Sequence, residues 1–106
     1  MKEIEILKSV LASNFQYEFY ENAIKNAKEE IITNTYYIEN WNDVIKHIIY
    51  RKLDKGQPLE LINKTANLVL YENSDEEAYR WLDLFLINIA KIDDIVISYQ
   101  IDENLQ

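Results

Sequence analysis

A chain of 106 residues with a single glycine, Gly56, and a single proline, Pro58, has few places at which it can turn sharply. Architectures built from many short strands need a tight turn every few residues, and glycine supplies the positive φ that such turns demand. Helix interiors need neither residue and are weakened by both. The two sit together in Asp54-Lys55-Gly56-Gln57-Pro58, so the rest of the chain reads as long helix-compatible stretches. Hydrophobic residues make up 48% of the sequence, enough for one core, and the length fits one domain, residues 1–106.

Hydrophobic periodicity fills in the elements. Ile4, Leu7 and Leu11, with Ile6 and Val10 beside them, predict a first helix over 2–12. Ser13-Asn14 interrupts it, and Asn14 is the expected N-cap of a second helix reaching Ile32, on which Phe15, Phe19, Ala23, Ile24, Ala27 and Ile31 recur at helical steps. Thr33-Asn34-Thr35 makes the next connection, leaving Tyr36, Tyr37 and Ile38 extended or in a short helical turn, and Asn40 caps a third helix. That helix has Val44, Ile45, Ile48, Ile49 and Leu53 on one face and Gly56 as its expected C-terminal stop.

Pro58 opens a fourth helix where its missing N–H costs nothing, and Leu59, Ile62, Ala66 and Val69 carry it to about Tyr71. Ser74-Asp75-Glu76-Glu77 then combines an N-cap, a capping-box glutamate and three negative charges at the positive end of a helix dipole. The fifth helix begun there, with Ala78, Trp81, Leu82, Leu84, Phe85, Leu86, Ile87 and Ile89, is apolar on more than one face and reads as the central element. The stretch 95–101 is rich in β-branched residues but has no second strand to pair with. The expected fold is all-α: a compact bundle or short solenoid of about five to six antiparallel helices, with a C-terminal tail that is helical or an extended packing arm.

The formal net charge is -8, and it is unevenly spread. Residues 1–70 hold ten acidic and nine basic side chains, whereas 71–106 hold nine acidic and two basic. Such a surface repels nucleic-acid phosphates and suits a basic protein partner. Acidic residues in Met1-Lys2-Glu3-Ile4-Glu5 stand where a signal peptide needs a basic region, and no apolar run approaches the ~20 residues of a membrane span. With no cysteine in the chain, the expectation is a cytoplasmic protein without membrane or nucleic-acid partners.

Candidates for chemistry are sparse. His47 is the one histidine and falls beside Lys46 off the apolar face, with no motif placing a nucleophile or orienting carboxylate against it. Asp75, Glu76, Glu77 and Asp83 lack the alternating spacing and turn glycine of a calcium loop. A single glycine precludes a glycine-rich phosphate loop, and Lys46, Arg51, Lys52 and Lys55 are interspersed with acids and read as a solvated face. The expectation is a protein that is not an enzyme and takes no cofactor and no metal.

Aromatic residues are in surplus, with eight tyrosines, of which Tyr17, Tyr20, Tyr50, Tyr71 and Tyr79 are candidates for partial exposure. Tyrosine gives a large, stiff contact area with a hydrogen-bonding tip, as protein interfaces favour. Tyr71, Glu72, Asp75, Glu76, Glu77, Tyr79 and Asp83 together make an acidic, tyrosine-bearing edge and form the candidate partner-binding set. In size and chemistry the chain resembles the bacterial immunity proteins that neutralise nuclease toxins of contact-dependent growth inhibition or bacteriocin systems. The likeness is carried by Ala66-Asn67-Leu68-Val69-Leu70, followed by Ser74-Asp75-Glu76-Glu77-Ala78 through Trp81-Leu82. It implies an inhibitor whose acidic face docks on the nucleic-acid cleft of a toxin nuclease domain. Immunity families share no universal site residues, so the candidate set rests on charge and aromatics alone. The alternative is a non-enzymatic regulatory or adaptor module that binds a protein or peptide through an apolar groove, or dimerises.

Overall fold

The apolar stripes of the sequence become the buried faces of helices in the computed structural model, which describes residues 2–16 and 18–90. Among the described residues there are five α-helices, one π-helical turn and no strand. These are α1 (Lys2–Asn14), α2 (Tyr20–Thr33), α3 (Thr35–Ile49), α4 (Gln57–Glu60) running into the π-helical turn Leu61–Thr65, and α5 (Asp75–Ala90). They form an all-α bundle with one core, as the periodicity predicts. Tyr17 and the tail 95–101 lie outside the described residues.

Helix α1 buries Ile4, Ile6, Leu7, Val10 and Leu11 against α2, α3 and the π-helical turn. Lys2 pairs with Asp43 at 3.5 Å and the Ser9 hydroxyl meets that of Tyr37 at 2.6 Å, so α1 runs antiparallel to α3. The centre of the molecule is aromatic. Phe15 meets the rings of Trp81 at 5.3 Å and Phe85 at 5.7 Å edge-on, Trp81 stacks on Phe85 at 5.8 Å, and Trp41 closes on Phe85 at 6.4 Å. These offset and edge-to-face arrangements suit the ring quadrupoles and tie the segment after α1, α3 and α5 to one point. Helix α5 buries Ala78, Leu82, Phe85 and Ile89 along its length, but Ile87, expected to be covered, is about half exposed, so α5 is a core helix with one open face.

Several helix ends differ from the sequence expectation. Asn14 ends α1 instead of capping α2: its amide donates to the Val10 carbonyl at 2.8 Å, and Ser13 bonds back to Ser9 at 2.7 Å. Phe15 therefore anchors a connection, and α2 starts only at Tyr20. Asn34, not Asn40, caps α3, accepting the Tyr37 N–H at 3.1 Å, and Tyr36 to Ile38 are helical from the first turn. Asn40 lies within α3 and donates to the Tyr36 carbonyl at 2.8 Å.

Gly56 does not end α3. The stop comes at Arg51, which adopts φ 55 while Lys52 N–H donates to His47 O at 2.8 Å and Arg51 N–H to Ile48 O at 3.2 Å. This is the Schellman hydrogen-bond pattern, with arginine in the position that glycine usually takes. Gly56 instead precedes α4, at φ 88. A Cβ there would meet nothing within 4 Å, so the requirement for glycine is one of backbone conformation alone. Pro58 sits in the first turn of α4, as its missing N–H predicts.

The fourth helix does not reach Tyr71. It passes through the π-helical turn and stops at Ala66, because Asn67 takes φ 59 and the Leu68 N–H closes onto Ile62 O at 2.9 Å. Asparagine tolerates this left-handed conformation better than other residues with a Cβ. Val69, expected on the helix's buried face, is consequently turned out to solvent and is 93% exposed.

Candidate protein-binding face

Residues 67–73 form a loop bracketed by two left-handed asparagines, Asn67 at φ 59 and Asn73 at φ 53. The Asn63 amide donates to the Asn73 side-chain oxygen at 2.9 Å and ties the loop's exit to the π-helical turn. Leu70 is buried and anchors the middle of the loop, so its neighbours Val69 and Tyr71 project outward, Tyr71 at 79% exposure.

What holds the loop is Glu77. Its carboxylate accepts the backbone N–H groups of Tyr71 at 3.1 Å, Glu72 at 2.7 Å and Asn73 at 3.0 Å, while its own N–H donates to the Ser74 hydroxyl at 3.2 Å. The capping box read from Ser74 and Glu77 is therefore present in an extended form. The glutamate reaches past the N-cap and gathers three successive loop amides. Charge-assisted bonds of this kind are about twice as strong as neutral ones. Glu77 is 2% exposed, so this carboxylate belongs to the interior and not to a contact surface.

The other expected contact residues divide in the same way. Asp75 accepts the N–H of Gly56 at 2.7 Å and of Leu59 at 3.2 Å, capping α4 from the first turn of α5. Tyr79 is buried: its hydroxyl accepts the Leu53 N–H at 3.0 Å and donates to the Leu53 carbonyl at 3.4 Å. Burial pushes the Tyr79 hydroxyl above its ordinary pKa, against the opposing pull of that backbone bond and of Arg51. Asp83 makes a two-pronged pair with Arg51, both contacts at 2.9 Å, and the Arg51 guanidinium also lies 4.6 Å from the Tyr79 ring centre. The hydrogen bond to Asp83 raises the Arg51 pKa further.

Tyr71, Glu72 and Glu76 remain as outward-facing members of the set. Arg80 pairs with Glu72 at 3.0 Å and Glu76 at 3.9 Å, which fixes the two acids and neutralises part of their charge. The resulting face is apolar at Val69 and Tyr71 and acidic around them. Val69 is the residue that sequence reading missed; the two asparagines flanking the loop were the available signal.

The remaining candidates are dispersed. His47 lies on α3 with Nδ1 2.8 Å from the Asp43 carbonyl, a contact inside its own helix. Tyr50 is exposed at the end of α3, and Tyr20 is half-buried, its hydroxyl accepting from the Asn88 amide at 2.8 Å. Burial pushes the Tyr20 pKa up to about 12, with the Asn88 bond acting in the opposite sense. Among the described residues no group of three or more His, Asp or Glu side chains is placed to hold a metal ion, and no helix is long and apolar enough to cross a membrane. Comparison with known protein families, with curated proteins and with solved structures gives no significant match.

Proposed function

We propose that this is a non-enzymatic protein-binding inhibitor, acting in the cytoplasm as an immunity protein that docks on and blocks a basic toxin domain with nuclease activity. One observation carries the reading: Val69 and Tyr71 are thrust into solvent at 93% and 79% exposure by a loop held from within by Glu77. Exposed apolar anchors on a preformed loop bind without a large ordering cost, since the bound shape already exists. The flanking Glu72 and Glu76 supply the negative field that steers a basic partner into place. The surplus of acid after residue 70 thus acts in two ways, with Asp75 and Glu77 building the loop and its support while Glu72 and Glu76 face outward.

The test is to search the neighbouring genes for a nuclease toxin domain and to co-express any such domain with this chain. The unaltered chain is expected to restore growth and to form a complex that survives gel filtration. Val69→Asp combined with Tyr71→Ala is expected to weaken that complex more than tenfold while leaving thermal unfolding unchanged, because neither side chain is buried. Glu72→Lys with Glu76→Lys should slow association at low salt. Toxicity unaffected by the unaltered chain would overturn the immunity reading; a complex indifferent to all four substitutions would overturn this face. The adaptor reading draws its support from a different place, an apolar groove between α3 and α5.

A further inference from the structure

Helix α3 has a second apolar stripe beside the one it buries. Trp41, Val44 and Ile48 face the core. Ile38 and Ile49 are about half exposed, Ile45 is only partly covered, and Asn42 is exposed. Positions 38, 42, 45 and 49 are separated by four, three and four residues, the d–a–d–a spacing with which one helix offers a seam to another. Ile45 and Ile49 also form the α3 side of the groove, and the half-exposed Ile87 stands on the α5 side. We propose that a second copy of this chain packs its own α3 antiparallel along this stripe, in a two-fold symmetric pair.

Register is the first argument for this occupant. In a two-fold contact each residue meets a partner residue whose own mate is met in return. With Ile38 set opposite Ile49 of the second copy, Asn42 falls opposite Ile45, so one register uses the whole stripe twice. Its centre lies close to the middle of Thr35–Ile49. Ile38 of the second copy then arrives beside Ile49 and Ile87 at the groove. Asn42 is the one polar member of the seam, and a single polar residue there fixes register at some cost in stability.

Charge is the second argument. Glu39 and Lys46 each follow a d position and so lie on the same flank of the stripe, the flank away from the core. Neither makes an ion pair among the described residues. In the antiparallel register Glu39 lies about 3 Å along the axis from the level of Lys46 of the second copy. The pair of helices thereby gains two opposite-charge contacts, whereas a parallel pair would set like charges level with each other. Flanking charges of this kind select partner and orientation. With 15 residues, α3 is about 22 Å long. A seam of that length sits at the small, reversible end of interface sizes.

Sedimentation velocity of the full chain at physiological salt, from low to high micromolar concentration, should show the mass rising from one copy toward two. Ile38→Glu and Ile49→Glu should each weaken the dimer about tenfold or more, because each buries a charge in the seam. Both positions are exposed in the single chain, and thermal unfolding of each variant checks that it folds. Glu39→Lys and Lys46→Glu, on the rim, should each weaken association about threefold to tenfold. The chain carrying both charge changes should recover it, and so should an equimolar mixture of the two single variants. A chain that stays monomeric across the whole range would overturn the proposal, as would a dimer indifferent to Ile38→Glu and Ile49→Glu. Failure of both charge-swap rescues would overturn the antiparallel register. None of these measurements involves a toxin, so their failure leaves the proposed inhibitor function standing.

Discussion

The two halves of the molecule are held by different kinds of bond. In residues 2–49 the side-chain hydrogen bonds to backbone are mostly local, as in Ser13 to Ser9, Asn14 to Val10, Thr33 to Glu29 and Asn40 to Tyr36. The three helices there are assembled mainly by interlocking apolar faces. From residue 50 onward, polar side chains reach across the fold to cap backbone elsewhere. Asp75 bonds Gly56 and Leu59, Tyr79 bonds Leu53, and Glu77 gathers Tyr71, Glu72 and Asn73. The difference follows from the elements available. Long helices satisfy their own backbone, whereas a four-residue helix, a π-helical turn and a seven-residue loop leave amides that something else must accept. The acidic residues of early α5 meet that need, and the proposed binding face is a by-product of the same construction.

The sharpest way to break this contrast is at the place where the halves meet. Phe85→Ala removes the ring shared by Phe15, Trp41 and Trp81, and it should cost about 3–5 kcal/mol. Denaturant unfolding should remain a single transition at a lower midpoint. Two separated transitions would show that the halves fold independently.

Glu77→Ala should cost about 3 kcal/mol, since it strands three amides at about 1 kcal/mol or more each. Amide exchange should accelerate most at Tyr71, Glu72 and Asn73 and little in α1 and α2. A uniform acceleration would mean that the carboxylate supports the whole core and not the loop.

Alkaline titration tests Tyr20, which joins the start of α2 to Asn88 of α5. Its pKa is pushed up to about 12 by burial, so between its ordinary value near 10 and that level the unfolded chain releases the proton while the folded chain keeps it. Stability is therefore full below pH 10 and falls as the pH rises toward 12, by on the order of 2 kcal/mol. Tyr20→Phe should flatten the part of this slope that Tyr79 does not supply.

The smallest effects compare one cap from each half. Asn34→Ala and Asp75→Ala should each cost about 1 kcal/mol. The first loss should be confined to the start of α3, whereas the second should expose the amides of Gly56 and Leu59 to exchange. Equal, purely local responses would erase the distinction drawn between the halves.

Much of this was legible in the sequence. The scarcity of glycine and proline and the stripes of α1, α3 and α5 predict an all-α bundle, and Ser74-Asp75-Glu76-Glu77 marks the start of α5 in its place. Amphipathic spacing and capping are local signals, and they survive tertiary packing because burial rewards the same faces. The helix ends before residue 70 were harder to place, since Asn14, Asn34 and Asn40 all have capping chemistry and only packing decides which one caps. Arg51 in a left-handed conformation left no sequence signal at all. Its guanidinium pairs with Asp83, thirty-two residues away, a contact that only the folded chain makes.

The candidate face divides along the same line. Composition by itself determined that the chain carries its surplus negative charge after residue 70, together with tyrosines suited to contact. Tertiary structure alone decided that Glu77 and Tyr79 turn inward, that Asp75 and Asp83 are engaged within the chain, and that Val69 joins Tyr71 outside. A carboxylate beside unpaired backbone amides gains more by accepting them than by facing water, and whether such amides lie within reach is set by where the chain folds back.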